Sequence, residues 1–444
     1  MFKQLFRNKK ILIMGLGLYG GGVSSAKFFC KQKADVLITD LKSKKQLKES
    51  IEKLKELKIK YSLGGHKEKD FLWADLIIRN PDVPASSPYL EIARKNKIPI
   101  ETDVSLFFKL SDVFIIGVTG TKGKSTTSSL MYHLLKQRYK RVFLAGNIGL
   151  SPLELLPKIK RGDKVILELS SFELEGLTQG PNIAVITNIM PDHLNRYADM
   201  AEYINSKKLI FKYQTNKDML VLNNDDPVVC GFAKEAKSKV YFFLGKEKPK
   251  IKTDNFKLIG GHNMSNLSAA IKVAELMKVP VKNIEKSLKT FEGVSNRQEF
   301  IKEINGVKYF NDTTATMPDS VIAAIRTLSE NYPNSKLILI CGGQNKGLNY
   351  ESLTGEIKKN VKKIIMLPGT ASDKMKEGLA GYNKIYEVSS MQEAVKKSAN
   401  LAEKGDLVIL SPGATSFNLF KNEFDRGRQF VEAVKGLHGN KKTI

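Results

Sequence analysis

Cysteine, histidine and tryptophan are scarce in these 444 residues, at three, five and one. Cys30, Cys230 and Cys341 lie far apart and lack the close pairing of a metal-ligand set. They offer no disulfide framework and fit a reducing compartment. No apolar run reaches the roughly 18–20 residues needed to span a bilayer, so membrane insertion is not expected. Low-complexity tracts and short repeats are absent. Negative charge is also in deficit: 46 acidic residues against 72 Lys and Arg leave a formal net charge of +26. The surplus is mostly lysine, spread along the whole chain, with no basic motif interleaved with aromatics. Solvated lysine faces or polyanionic substrates account for it better than specific nucleic-acid binding. Basic residues (Lys3, Arg7, Lys9, Lys10) before the apolar stretch Ile11–Leu18 have the outline of a secretory leader. The glycines in that stretch have a better reading below, and a cytoplasmic protein is expected.

What is present is alternation. Ile11–Met14, Val36–Thr39, Leu76–Ile78, Phe114–Val118, Val142–Ala145, Val165–Leu167 and Ala184–Thr187 read as short buried strands, as do Leu337–Cys341, Lys363–Leu367 and Leu407–Leu410. Amphipathic segments such as Ser125–Lys136 and Met391–Ala402 lie between them. This βαβ pattern predicts α/β domains with parallel sheets. At roughly 150 residues per domain the length suggests about three: residues 1–102, Rossmann-like; 103–297, like a P-loop ATPase; and 298–444, again Rossmann-like. Near the last boundary, Phe300–Ile304 and Val307–Asn311 flank Asn305-Gly306, a strong hairpin signal.

Two glycine loops carry chemistry. The first, Gly15-Leu16-Gly17-Leu18-Tyr19-Gly20, follows a strand and opens a helix, and Asp40 ends the next strand. Its glycines let the backbone approach a diphosphate, and the acid suits a ribose or base. The loop does not choose between a nicotinamide cofactor and another nucleotide diphosphate. The second, Thr119-Gly120-Thr121-Lys122-Gly123-Lys124-Ser125-Thr126, departs from the standard P-loop in having Val118 where glycine is usual. Its functional end is intact: amides around Gly120–Gly123 can cradle phosphates, Lys124 can neutralise a transferred phosphoryl, and Ser125 can hold Mg²⁺. A chain with this loop binds ATP or GTP.

Thr119–Ser125 resembles the TGTxGKS/T loop of the Mur ligases and their folylpolyglutamate synthetase relatives. Later motifs agree in type and order: Gly146-Asn147-Ile148-Gly149; Glu168-Leu169-Ser170-Ser171-Phe172-Glu173-Leu174-Glu175; Asn188, Asp192-His193 and Arg196-Tyr197; Tyr203 and Lys207; Gly261-His262-Asn263 with Asn266; Arg297; Asn311-Asp312; and Ser411-Pro412-Gly413 with Ser416-Phe417 and Arg426-Gly427. The resemblance covers essentially the whole chain and is strongest to the D-glutamate-adding branch. It implies an ATP-dependent ligase acting as a cytoplasmic monomer. Its substrates would be ATP, UDP-N-acetylmuramoyl-L-alanine and D-glutamate, joined through an acyl phosphate in peptidoglycan precursor synthesis.

It also implies roles. Lys124, Glu168, His193 and Lys207 would be catalytic. Ser125, Glu168, His193 and Lys207 would hold two Mg²⁺ ions, Lys207 as a carbamate; the adjacent Lys208 leaves that assignment ambiguous by one position. Gly120, Thr121, Lys122, Gly123, Thr126, Asn263, Asn266, Arg297 and Asp312 would contact ATP. Gly17, Leu18, Tyr19, Asp40, Asn80, Asn147 and Ser170 would contact the UDP substrate, and Thr316, Lys346, Ser416 and Phe417 the amino acid. Read from the residues alone, Glu168 could instead cap the following helix, Tyr203 and Lys207 could be a solvated pair, and Ser416 could be a plain helix N-cap. Three positions depart from the family pattern: Asp82, where glycine is frequent; Asn296, where many members have His; and Thr314, where some have Lys. A sister ligase with another acceptor and an NAD-dependent or nucleotide-sugar oxidoreductase are the alternatives.

Overall fold

The computed structural model describes residues 5–17, 20–148, 150–192, 196–247, 249, 251–253, 256, 258, 260–345, 347–416 and 419–437. The assignments made from sequence to Leu18, Tyr19, His193, Lys346 and Phe417 therefore lie outside the described residues. The chain divides into two compact units, one of residues 1–256 and 261–291, the other of 257–260 and 292–444.

The first unit holds two sheets. β1 (Lys10–Met14), β2 (Asp35–Asp40), β3 (Ile59–Leu63), β4 (Leu76–Arg79) and β5 (Ile100–Glu101) pair in parallel in the order β3-β2-β1-β4-β5. The order reverses at β1, which opens a crevice at its carboxyl end, where the first glycine loop sits. Ile11, Leu12, Ile13 and Met14 are at most 1% exposed. Each such side chain contributes about 1.5–3 kcal/mol by burial, which is why β1 reads as a continuous apolar run. The second sheet comprises β6 (Phe114–Thr119), β7 (Val142–Gly146), β8 (Lys164–Glu168), β9 (Ile183–Ile186), β10 (Met219–Asn223) and β11 (Lys239–Phe243), parallel in the order β11-β10-β9-β6-β8-β7. β6 lies between β8 and β9, so the loop after it emerges at the centre of the sheet.

The second unit carries β12 (Glu299–Ile304), β13 (Val307–Asn311), β14 (Leu337–Gly342), β15 (Val361–Leu367), β16 (Ile385–Glu387) and β17 (Leu407–Leu410) in the order β12-β13-β17-β14-β15-β16. β12 and β13 form the expected antiparallel hairpin; the other pairs are parallel. Asn305 and Gly306 both have positive φ, 51° and 76°, as a tight turn twisted with its strands requires. The expected strands are all present, with ends shifted by a residue or two. β3, β5, β11 and β16 were not anticipated. All four are sheet-edge strands, short or with a wetted face, so their sequences lack a buried run. β10 is a further strand beyond those expected, apolar and internal to its sheet. Among the described residues no helix is long and apolar enough to cross a membrane.

Candidate functional site

The loop between β6 and the helix Lys124–Leu135 is shaped by what surrounds its glycines. Gly120 has φ +142°, and a Cβ there would fall 2.0 Å from Thr187 Oγ1; at Gly123, φ +84°, it would fall 2.2 Å from Asn266 Oδ1. Neither position tolerates a side chain. Asn188 clamps the loop from β9: its Oδ1 accepts from Lys122 N–H at 2.9 Å and its Nδ2 donates to Lys122 O at 3.0 Å. Asn266, far along the chain, accepts from Thr127 Oγ1 at 3.2 Å and lies 3.4 Å from Asn263 Oδ1 through its Nδ2. Lys124 Nζ donates to Gly120 O and Thr121 O, both at 3.0 Å. Ser125, the second helical residue, is buried.

Under the loop lies Lys207. It is 2% exposed on the helix Met200–Lys212, and its Nζ donates to Gly120 O at 3.1 Å and Thr119 Oγ1 at 3.3 Å. Tyr203, one turn earlier, is equally buried, and its hydroxyl lies 3.0 Å from Thr121 Oγ1. The solvated-pair reading is therefore excluded. Burial holds the Lys207 ammonium well below the usual lysine range; the charge of Lys124 acts the same way, while Asp192, Glu173 and Glu168 act against it. Lys208 turns away and pairs with Glu235 at 2.6 Å.

Glu168 ends β8 beside the loop, where Leu169 N–H donates to Val118 O at 2.8 Å. Its Oε1 accepts from Asn147 Nδ2 at 3.0 Å, whereas its buried Oε2 has no hydrogen-bond partner among the described residues. It does not cap the next helix. Ser170 does, in a capping box with Glu173. Among the described residues no three His, Cys, Asp or Glu side chains form a metal cage. A hard cation here would draw on Glu168 Oε2, the Ser125 hydroxyl and phosphate oxygens, a donor set that suits Mg²⁺.

Glu173 is a titratable group that sequence reasoning passed over. Burial, then the nearby Asp103, push its carboxyl up to about 8 from the ordinary 4.5, against the hydrogen bonds from Ser170. A raised folded pKa means that this contribution to stability is full below about 4.5 and is lost as pH rises through about 8. Glu173→Gln, which keeps an acceptor for Ser170, is expected to match the wild-type Tm near pH 4.5 and exceed it progressively toward pH 8.5. Parallel Tm–pH curves for the two proteins would exclude a buried, titrating Glu173.

The first glycine loop is held by Asp40, whose Oδ2 accepts from Leu16 and Gly17 N–H at 2.9 and 3.2 Å and whose Oδ1 accepts from Lys42 N–H at 2.8 Å. This carboxylate organises loop backbone, a use the spacing did not reveal. Asn80, at the end of β4, donates to Gly15 O at 3.2 Å, so it shares the crevice with Gly17.

In the second unit, Asp312, Thr316 and Ser416 follow the adjacent carboxyl ends of β13 and β17. Asp312 is buried; its Oδ2 accepts from Ser411 Oγ at 2.8 Å and its Oδ1 from Gln298 N–H at 3.2 Å. Burial raises its carboxyl to about 7, against the hydrogen bonds from Ser411 and Gln298 and, less, the charge of Arg297. Ser416 is 2% exposed, and its hydroxyl has no hydrogen-bond partner among the described residues. The expectation that Ser416 begins a helix is corrected: the helix starts at Glu423 and is capped by Asn422, because that side chain, and not Ser416, reaches the free amide of Asp425. Arg426, given no role from sequence, is fully buried. It donates to Thr313 Oγ1, Thr313 O and Ala414 O at 2.8–3.1 Å, tying together the loops that carry Thr316 and Ser416. Two departures from the family pattern are neighbours, since Thr314 Oγ1 donates to Asn296 O at 2.8 Å.

Comparison with known proteins gives a consistent result. Residues 9–102 match the Mur ligase MurD-like N-terminal domain, 118–257 the Mur ligase middle domain, and 296–413 the Mur ligase glutamate ligase domain. A UDP-N-acetylmuramoylalanine--D-glutamate ligase from a Roseiflexus species is 37% identical, over 97% of this chain and 99% of its own. One from Borreliella afzelii is 38% identical, over 97% and 98%. Among solved structures, the UDP-N-acetylmuramate-alanine ligase of Thermotoga maritima superposes with a TM-score of 0.61 at 20% identity, covering 96% of this chain and 99% of its own. At that identity the likeness speaks for the fold.

Proposed function

This chain belongs to the Mur ligase family, and from that premise we propose that it is an ATP-dependent ligase adding D-glutamate to UDP-N-acetylmuramoyl-L-alanine in peptidoglycan precursor synthesis. Relatives of that name match almost end to end. The observation that carries the mechanism is convergence on one loop: Lys124 with Ser125, Glu168, Lys207 and Asn266 come from four separate parts of the chain to the loop after β6.

In this reading, residues 1–102 hold the UDP substrate, 103–297 hold ATP and 298–444 hold the amino acid. The substrate carboxylate attacks the γ-phosphorus of ATP, the bond to the β-phosphate oxygen breaks, and ADP leaves. The amine of D-glutamate then attacks the acyl carbon, losing a proton, and inorganic phosphate departs as the amide forms. Loop amides and Lys124 stabilise charge on the transferred phosphoryl. Mg²⁺ held by Ser125 and Glu168 would supply further neutralisation of phosphoryl oxygens. A second ion would draw on His193 and Lys207. The setting of Lys207 suits a carbamate: a buried amine beside Lys124 is driven towards its neutral form. A neutral amine can add to carbon dioxide, forming an N–C bond and releasing a proton. Acceptor recognition falls to Thr316, Lys346, Phe417 and Ser416, whose partnerless buried hydroxyl is suited to a carboxylate. The protein would work as a cytoplasmic monomer.

The test is phosphate release with UDP-N-acetylmuramoyl-L-alanine and a panel of amino acids. D-Glutamate is expected to exceed L-alanine by on the order of 10⁴-fold in kcat/KM, because a site built for a second carboxylate is left with unpaired polar groups by an acceptor lacking it. Faster turnover of L-alanine or a diamino acid would keep the reaction class and replace the acceptor. Failure to form ADP in step with product would remove the ligase reading.

A further inference from the structure

Within the first unit, two guanidiniums, those of Arg196 and Arg79, link the two sheets. Arg196 follows β9 in the chain. Its Nη1 donates to Asp82 O at 2.9 Å, and its Nη2 donates to Pro81 O at 2.9 Å and to Val83 O at 3.5 Å. These successive main-chain carbonyls belong to the loop after β4, directly beyond Asn80. The guanidinium carbon stands 4.0 Å from the centre of the Phe172 ring, in the short helix that Ser170 caps. Glu175 joins the cluster: its Oε2 lies 3.9 Å from Arg196 and 3.2 Å from Arg79, and its Oε1 accepts from Tyr197 Oη at 3.3 Å. Arg79, in β4, also donates to Val83 O at 2.7 Å.

The cluster continues to the phosphate loop. Phe172 stacks on Tyr197 at 5.9 Å, Tyr197 packs against Tyr203 at 5.5 Å, and the Tyr203 hydroxyl reaches Thr121. A continuous set of packed side chains thus runs from the loop beside the first glycine turn to the loop that holds Lys124. Arg196 is its hub, and its side chain is only 19% exposed. Because its partners on the first sheet are carbonyls, it fixes backbone whatever side chains residues 81–83 carry. Lysine has one compact ammonium and cannot span the same carbonyls while stacking on a ring.

We propose that Arg196 is a positioning residue that sets the register between the crevice for the UDP end of the substrate and the phosphate loop. The inference rests on the functional reading above. A substrate anchored at one sheet must deliver its carboxylate to a phosphorus held at the other. A misplacement of about 1 Å can cost on the order of 10²-fold in rate.

The experiment is steady-state kinetics on the full-length protein, with Tm measured in parallel. For Arg196→Ala we expect kcat to fall about 10- to 100-fold and KM for the UDP-linked substrate to rise. Binding of a non-hydrolysable ATP analogue should stay within about twofold, since no contact to the glycines of that loop is lost. Arg196→Lys should keep the wild-type Tm and recover only part of kcat. Phe172→Leu, which spares every hydrogen bond of Arg196, should shift kcat the same way by less and keeps the idea testable if Arg196→Ala does not fold. A purely structural staple would lower Tm while leaving kcat and KM of the folded enzyme unchanged, and that result overturns the proposal. So does weakening of ATP-analogue binding equal to the loss in kcat. If the wild-type protein itself fails to turn over the UDP-linked substrate, the functional reading fails and this inference with it; an active wild type with unaltered variants sinks the inference alone.

Discussion

Lys124→Ala abolishes turnover while leaving the protein folded: that is the expected result with the largest effect. The ammonium hydrogen-bonds the carbonyls of Gly120 and Thr121 and lies at the mouth of a loop whose glycines are closed in by Thr187 and Asn266. Removing a preorganised charge from a phosphoryl-transfer site costs on the order of 10²–10³-fold or more. The structural cost is small. Lys124 is the first residue of its helix and only partly buried, and alanine suits a helix start, so a change of about 0.5 kcal/mol or less is expected. Phosphate release at a wild-type rate by a mutant of unchanged Tm would remove the phosphate-loop assignment.

The second large effect separates two adjacent lysines. Lys207→Ala is expected to lose most activity, and a small carboxylate such as acetate or formate should restore part of it by entering the space beneath Thr119 and Gly120. Lys208→Ala removes a pair with Glu235, worth about 0–1 kcal/mol, and a contact over the Phe232 ring, and should leave kcat near wild type. The reverse ranking would move the functional lysine by one residue. Loss of activity in Lys207→Ala with no rescue by any carboxylate would instead argue that Lys207 acts as an amine, through its hydrogen bonds to the loop.

The contrast between these lysines shows where sequence reading stops. Lys207 and Lys208 are indistinguishable as letters, and the resemblance to known ligases preferred one of them on spacing alone. Burial under the β6 loop separates them, and burial depends on how the helix Met200–Lys212 lies against β6. The same holds for Asp40. Its position twenty residues after Gly20 was visible, but the spending of its oxygens on Leu16, Gly17 and Lys42 amides was not. Glu173 reads as one more acid in a polar run until Asp103 and a dry environment are placed beside it.

What the sequence by itself determined is local in origin. Buried parallel strands show as apolar runs because both faces are covered. The two glycine loops show because positive φ and close backbone approach admit only glycine. The Asn305-Gly306 hairpin shows because its turn needs two residues with positive φ. The family shows because such constraints recur in a fixed order along the chain. What only the tertiary structure decided is everything that depends on a distant partner: the dry setting of Lys207, the free Oε2 of Glu168, the partnerless hydroxyl of Ser416, and the grip of Arg196 on residues 81–83, more than a hundred positions earlier. Periodicity and loop chemistry are written in neighbours, whereas charge state, desolvation and inter-sheet register arise from contacts that exist only once the chain has folded.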